Sequence, residues 1–375
     1  MPSPPVSDIA RRIHGWSWQA FPILMGTSAV YMTLSDLKHH PAFVSNIETV
    51  FFFFSIILFL VNIDPIQGIF VPLMVVSFAT IVVGTIDYDM SYGRISSNLI
   101  YALFWIYLAI AIATCFPMIK ITFSKPHELS NFAPSYAFPM LTGLVSANTL
   151  RVIDASDTRA LGILLVGYVV HGLGLFMAFF YLAIYIHRYI GFMSGKQSNV
   201  AFVACSPPGF SALTLISLGD HASLAARGYI TDIAGDIWYS ASVMASLLFY
   251  GLALFFFILG VISYRFSCEH MDGILDCWAL TFPNVGWINA TRSLGDIFQI
   301  QGFFTFHLVM TIVMCITWLL LFTFTVIAFF QGRILKSGEE VEGEVTEERS
   351  APGSVIPSQV STHFSEVSSR TLITV

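Results

Sequence analysis

Hydroxyl side chains beside prolines and glycines are the residues of this chain best suited to binding a solute. They are Thr27, Thr142, Ser206, Ser211, Thr214 and Thr281. In apolar surroundings a hydroxyl can donate a hydrogen bond to an oxygen atom of an anion. It binds the anion less tightly than a fixed cation would, and rapid passage requires such weak binding. The alternative is that each hydroxyl bonds to a carbonyl of its own helix, which is common for Ser and Thr. The chemistry that these residues offer is reversible binding.

Catalytic signatures are absent from the sequence. It contains no Gly-x-Ser-x-Gly, no His-Glu-x-x-His and no phosphate-binding loop, and its five cysteines show no metal-ligand spacing. His171 and His307 are the histidines within apolar segments, and we expect both to be packing residues rather than proton relays. The sequence therefore predicts no enzyme, no cofactor, no metal and no nucleic-acid partner.

The composition is that of an integral membrane protein. Of 375 residues, 56% are hydrophobic and 11% are charged, whereas soluble domains carry about 25% charged residues. The chain has ten apolar segments, several of them longer than the roughly 20 residues that cross a bilayer. We expect an all-α membrane fold of ten transmembrane helices, with no Asp, Glu, Lys or Arg deep inside any of them.

The ten segments alternate in proline content. The even-numbered segments cover about 47–63, 96–119, 160–187, 237–264 and 302–332, and one interior proline, Pro117, lies among them. The odd-numbered segments each carry a proline near one end, and these are Pro22, Pro72, Pro139, the pair Pro207 and Pro208, and Pro283. A proline inside a membrane helix frees a carbonyl, which only protein or water can satisfy. The pattern predicts kinked odd helices around a central pore, with even helices outside them.

Small residues follow most of these prolines. Gly26, Gly143, Gly209 and Gly286 are the glycines concerned, and they indicate either a cavity wall or tight helix packing. Phe282, directly before Pro283, could close a narrow pore with its ring. The predicted pore-lining or helix-break residues are Pro22, Gly26, Thr27, Pro72, Pro139, Thr142, Gly143, Ser206, Pro207, Pro208, Gly209, Thr281, Pro283 and Gly286.

The two ends of the chain differ from its apolar middle. Residues 1–16 are polar and proline-rich, and residues 335–375 are acidic and rich in serine, which predicts a disordered tail. The ten-helix transport domain is expected to cover residues 17–334. Lys and Arg are more frequent on the side of the spans that carries both termini, so we expect cytosolic termini. The plasma membrane is the expected location.

Four stretches resemble a known family. FPILMGT at 21–27, GYVVHGLG at 167–174, SPPGFS at 206–211 and TFPNVG at 281–286 are similar to the tellurite-resistance/dicarboxylate transporter family. That family includes fungal malic acid transport proteins, fungal sulfite efflux pumps and plant slow anion channels. The resemblance covers about residues 15–332 and is nearest to the fungal malic acid transport branch.

The resemblance implies a ten-helix protomer of five helical hairpins, whose odd helices line a pore that Phe282 occludes, and a homotrimeric assembly. It also implies that malate or another C4-dicarboxylate is the substrate. One departure is the stretch KQSNV at 196–200, where fungal dicarboxylate members often carry an Arg-Pro sequence. Lys196 is the residue of this stretch that could replace the arginine.

Three functions remain open from the sequence. The first is transport of malate or another small organic anion across the plasma membrane. The second is efflux of sulfite or of an acidic secondary metabolite by the same fold. The third is a membrane scaffold that transports nothing and recruits cytosolic partners through its acidic tail.

Overall fold

The computed structural model describes residues 21–62, 72–124, 140–191, 198–226, 229, 231–266 and 274–331. Within these ranges the protein has ten α-helices, one 3₁₀-helix (Asp276–Leu280) and no strand. The α-helices are α1 (Phe21–Ser35), α2 (Ala42–Asn62), α3 (Pro72–Tyr92), α4 (Ser97–Ser124), α5 (Leu141–Leu150), α6 (Thr158–Gly191), α7 (Ser198–Ala225), α8 (Ala234–Phe266), α9 (Phe282–Phe298) and α10 (Gln301–Phe330).

Seven of these helices are long and apolar enough to cross a membrane, namely α2, α3, α4, α6, α7, α8 and α10. The described parts of α1, α5 and α9 are shorter, with 15, 10 and 17 residues. The predicted fold class, an all-α protein with several membrane spans, is confirmed. The arrangement of ten spans as five hairpins stays a prediction.

Burial alternates between odd and even helices. The apolar stretch of α7 is 78% buried and that of α3 is 56% buried, whereas α8 and α10 reach 22% and 28%. Helices α1, α5 and α9 are buried along most of their described length. Because an exposed apolar surface in a membrane faces lipid, the even helices supply most of the lipid-facing surface and the odd helices most of the interior.

Helices α7 and α9 cross with their backbones in contact. A Cβ atom on Gly286 would lie 2.3 Å from the backbone nitrogen of Phe210, and one on Gly209 would lie 2.9 Å from the backbone nitrogen of Trp287. A close-packed interior gives backbone atoms little room to move away. Glycine is therefore required on both sides of this crossing.

The prolines of the odd segments occupy two kinds of position. Pro283 lies in the first turn of α9, where its missing N–H removes no helical hydrogen bond. Pro22 and Pro72 are the second and first residues of α1 and α3. The pair at 207–208 lies inside α7, which continues through it. The loss of helical hydrogen bonds that follows from a proline inside a helix is therefore expected in α7.

Gly286→Ala is expected to destabilise the protein by about 1–3 kcal/mol or to prevent folding, because the new methyl group would overlap the α7 backbone. Thermal unfolding of the purified protein, followed by fluorescence-detected gel filtration, measures the change.

Gly251→Ala is the matched control, because a Cβ atom at this exposed α8 position meets nothing within 4 Å. We expect it to be neutral or to stabilise the helix by up to about 1 kcal/mol. An equal loss of stability in both variants would contradict the close contact between the backbones of α7 and α9.

Candidate functional site

A break precedes α9. The 3₁₀-helix Asp276–Leu280 ends at Thr281, whose φ of −99° and ψ of −93° are not helical. The Thr281 hydroxyl donates to the Trp278 carbonyl at 2.6 Å, and Asn284 Nδ2 donates to the Leu280 carbonyl at 2.9 Å. These side chains give partners to backbone carbonyls at the break, as buried peptide groups require. The position at which α9 begins is therefore held by specific hydrogen bonds.

Phe282, the predicted gate, is the first residue of α9 and lies inside the protein. Its side chain is 4% exposed, and its ring centroid lies 5.1 Å from that of Phe210, with 33° between the ring planes. Phe210 is fully buried and directly follows the proline pair and Gly209 in α7. The two rings form an apolar contact where α9 begins. The sequence singled out Phe282 and missed Phe210.

Two of the six predicted hydroxyls have internal partners. The Thr27 hydroxyl donates to the Ile23 carbonyl at 2.8 Å and accepts the indole N–H of Trp318 at 3.1 Å. The Thr281 hydroxyl bonds at the helix break described above. For these two residues the alternative, a bond to a nearby carbonyl, is what the structure shows.

A second group of hydroxyls is buried without such bonds. Ser146 in α5 and Ser211 and Thr214 in α7 are 0% exposed, and their hydroxyls have no hydrogen-bond partner among the described residues. The Thr142 hydroxyl faces that of Tyr107, and Ser206 is half-buried. Leaving a buried hydroxyl unpaired costs about 1–3 kcal/mol, so water or a ligand is the expected partner. Ser146 is not among the predicted residues, although it follows Thr142 by one helical turn.

His171 faces the same interior although it belongs to an even helix. Its Nδ1 atom lies 2.7 Å from the Met140 carbonyl, so Nδ1 carries the proton and Nε2 is left as an acceptor. Nε2 is buried with no partner in the described part of the chain. The histidine thus packs, as predicted, and also presents one free acceptor. His307 is equally buried, with Nε2 unpaired among the described residues.

The predicted glycines lie at helix contacts. A Cβ atom on Gly26 would lie 2.2 Å from the Trp278 ring, and one on Gly143 would lie 2.5 Å from the Thr214 methyl group. Tight packing, the alternative that the sequence left open, therefore accounts for these two glycines as it does for Gly209 and Gly286. Their role as cavity wall stays a prediction. Pro139 and Lys196 lie outside the described residues.

A cavity of about 480 Å³ lies at the carboxyl ends of the odd helices, and we call it the acidic cavity. All five odd helices contribute to its wall, together with Tyr239 from α8. The lining residues are Met32, Ser35, Asp36, Val83, Asp87, Leu144, Ala147, Asn148, Arg151, Leu213, Ile216, Ser217, Asp220, His221, Tyr239, Asn289, Ser293, Asp296 and Ile297.

Carboxylates outnumber cations in the wall of the acidic cavity. Asp36, Asp87, Asp220 and Asp296 face Arg151 and His221 there. Burial raises the pKa of Asp36 to about 6, and the negative charge of Asp87 adds to this rise, whereas Arg151 and Arg292 oppose it. The carboxyl ends of the five odd helices, which carry the negative end of each helix dipole, add to the negative charge of this cavity. This mouth therefore has a negative bias that Arg151 offsets.

Asp87 is a buried carboxylate in the wall of the acidic cavity. It belongs to α3, its side chain is 7% exposed, and one of its oxygens accepts a 2.6 Å hydrogen bond from Arg151 Nη1. The sequence carried a signal for this group, because four of the five odd segments hold an aspartate toward their carboxyl end: Asp36, Asp87, Asp220 and Asp296.

A helical bundle with apolar outer faces and a polar cavity between its buried helices is typical of a multi-pass membrane protein. The sequence matches the family described as "SLAC1: Voltage-dependent anion channel" over residues 15–326. The chain belongs to this family, whose members named below are transporters rather than enzymes.

Individual relatives are distant. A malic acid transport protein of Schizosaccharomyces pombe is 22% identical over 248 residues, covering 64% of this chain and 56% of the relative, just over half of its length. A putative malic acid transport protein of the same yeast is 23% identical, covering 90% of this chain and 85% of the relative. The sulfite efflux pump SSU1 of Arthroderma benhamiae is 24% identical, covering 83% and 89%.

Asp36→Asn is expected to stabilise the protein more at neutral than at acidic pH. Because the pKa of Asp36 is raised from 3.8 to about 6 in the folded state, wild-type stability falls as the pH rises from about 4 through about 6, and the amide escapes this loss. After allowance for partial exposure, the gain over wild type should grow by about 1–2 kcal/mol between about pH 4 and pH 7.5. Thermal unfolding of the purified protein at both values measures it.

Asp154→Asn is the control with the opposite sign. The backbone N–H and hydroxyl of Ser156 lower the pKa of the exposed Asp154 carboxyl, so its removal should be more harmful at neutral pH. A gain at neutral pH in both variants would show that loss of negative charge, rather than burial, is the cause.

Proposed function

We propose that this protein carries small organic anions across the membrane, with malate or another C4-dicarboxylate as the leading substrate. One observation carries the proposal: the buried hydroxyls of Thr142, Ser211 and Thr214 lie beside the inner end of the acidic cavity, within two residues of wall residues on α5 and α7. Hydroxyl donors suit the lone pairs of a carboxylate. Their neutrality gives an anion favourable partners without a deep trap.

The route runs between α1, α3, α5, α7 and α9, with the five even helices outside them. The alternation of burial supports this ring, and so does the cavity wall, to which every odd helix contributes. In this arrangement the ten helices form five hairpins. The prolines at 207–208 add to the route, since the carbonyls four residues earlier have lost their helical donors.

Phe282 closes the route in the resting state, and Phe210 is its partner. The two buried rings leave an apolar constriction at the start of α9. A constriction of this kind excludes water and thereby ions. Displacement of Phe282 from Phe210 would open it.

Sulfite, or another acidic metabolite, is the second candidate substrate. It is favoured by the relatives named sulfite efflux pumps, which align over 83% of this chain, and by the missing Arg-Pro sequence at 196–200. Malate and sulfite share the oxyanion chemistry that the hydroxyls recognise. The same site therefore serves either substrate.

The plasma membrane is the proposed location, with both termini in the cytosol and three protomers per assembly. The distribution of Lys and Arg supports the orientation, and the family resemblance supports the trimer. With this orientation the odd helices run outward, so the acidic cavity opens to the outside.

Purified protein in proteoliposomes should take up radiolabelled malate or sulfite faster than protein-free liposomes. Uptake of labelled malate that unlabelled sulfite does not inhibit would identify malate as the substrate. Uptake of labelled sulfite that unlabelled malate does not inhibit would identify sulfite. Absence of flux for both anions, with and without a pH gradient, would contradict the proposal.

Deletion of residues 337–375 tests the scaffold alternative in the same assay. A transporter should keep its flux, because the route lies within the helices. A protein that acts only as a scaffold shows no flux with or without the tail, and deletion of the tail abolishes its role in the cell.

Phe282→Ala is expected to raise anion conductance about tenfold or more in oocytes or liposomes, because removal of the ring opens an apolar constriction. Phe176→Ala is the matched control, since Phe176 lies on α6 and is 68% exposed. If Phe282→Ala reaches the surface normally and its conductance is unchanged, the ring of Phe282 does not form the gate.

A further inference from the structure

Arg151 stands at the carboxyl end of α5 with part of its guanidinium unused. Nη1 donates to Asp87 Oδ1 at 2.6 Å and to Asn148 Oδ1 at 3.0 Å. Within the described residues, the Nε and Nη2 atoms of Arg151 donate no hydrogen bond, and the side chain is 39% exposed toward the acidic cavity. A guanidinium can hold two carboxylates because its five N–H groups point in different directions. Arg151 is therefore able to bind a second anion.

The electrostatic setting gives this arginine a specific role. The cavity wall carries four aspartates, and the helix dipoles of the odd helices add partial negative charge. Glu48 of α2 is buried and Arg292 of α9 lies near Asp36. Arg292 lies outside the cavity wall and pairs with Asp296, whereas Arg151 belongs to the wall itself. The cation of the wall that attracts the anion is thus Arg151, together with His221 when that residue is protonated.

Asn289 supplies an independent sign that a ligand binds here. It is 3% exposed, and its Nδ2 donates to the Met32 carbonyl at 2.7 Å, which fixes the amide. Its Oδ1 has no partner among the described residues, although it belongs to the wall of the acidic cavity. A buried acceptor of this kind requires an O–H or N–H donor. The ligand that fits both groups is a small oxyanion that also carries a hydroxyl.

We propose that Arg151 is the docking residue for a hydroxylated oxyanion in the acidic cavity, that Asn289 accepts the ligand's hydroxyl, and that Asp87 competes with the ligand for the guanidinium. The inference rests on the proposed function, since it takes the passing solute to be an anion. It adds the residue that captures the anion and the internal carboxylate that limits its affinity. The ligand takes the Nε and Nη2 N–H groups while Asp87 stays on Nη1, so Asp87 competes through its negative charge, which offsets part of the guanidinium charge and repels the ligand.

The competition makes an unusual prediction: the two members of one ion pair act in opposite directions. Asp87→Asn should tighten malate binding several-fold, because the competing charge is gone, whereas Arg151→Gln should weaken it about tenfold or more. Arg151→Lys should lie between wild type and Arg151→Gln, because it keeps the charge and loses the fork. The measurement is thermal stabilisation of the detergent-purified full chain, titrated with malate, succinate and sulfite at one pH.

Arg159→Gln is the matched control. Arg159, the second residue of α6, pairs with Asp157 of the preceding loop and does not line the acidic cavity, so its loss should leave the affinity unchanged. Malate should bind several-fold more tightly than succinate, which lacks the hydroxyl that Asn289 accepts. Equal affinities for malate and succinate would overturn the assignment of Asn289.

A purely structural ion pair gives a different pattern. Asp87→Asn and Arg151→Gln would then both lower stability and both weaken binding, and this result overturns the competition. If Asp87→Asn fails to fold, Arg151→Gln decides alone, since unchanged affinity overturns the docking role. Lack of stabilisation of the wild-type chain by malate and by sulfite also overturns it.

Separate measurements of binding and of flux distinguish this inference from the proposed function. Opposite effects on affinity without any flux in proteoliposomes would support the docking site and contradict transport. Flux with an apparent KM that Arg151→Gln leaves unchanged would support transport and overturn the docking site.

Discussion

The cost of burying polar groups in an apolar helix bundle is the constraint on which the rest of this structure depends. Most polar groups inside the odd helices meet it with a near neighbour, as Thr27 does with Ile23 and Trp318. The hydroxyls of Ser211 and Thr214 do not. In a membrane protein such groups are stable only where water or a passing solute can reach them. The unpaired hydroxyls of α5 and α7 are therefore the groups on which the proposed route is based.

Close helix packing and the constriction have one structural origin. Gly209 and Gly286 let the backbones of α7 and α9 touch, and this contact brings Phe210 to within 5.1 Å of Phe282. The helix start at Phe282 is held by side-chain hydrogen bonds to the preceding carbonyls. The backbone at the start of α9 is thus held in place beside the ring of Phe282.

Charge is confined to the mouth. The wall of the acidic cavity holds four aspartates, of which Asp87 is paired with Arg151, whereas the hydroxyl region below it is neutral. In the proposed function, the guanidinium of Arg151 is the local cation that an anion needs at this carboxylate-rich mouth. Recognition would then take place at the mouth and permeation in the neutral interior.

The sequence by itself determined the membrane class, the helical fold and the alternation of buried and exposed helices, because hydrophobic run length and proline placement are local properties. It also identified Phe282 and several hydroxyls. Only the tertiary structure decided which hydroxyls lack partners, that Phe210 faces Phe282, and that Asp87 of α3 meets Arg151 after α5. These facts depend on contacts between residues far apart in the chain, for which a single sequence carries no direct signal. The proline at 283 shows the same limit: its residue type was informative, but its place at a helix start was set by the hydrogen bonds around the break.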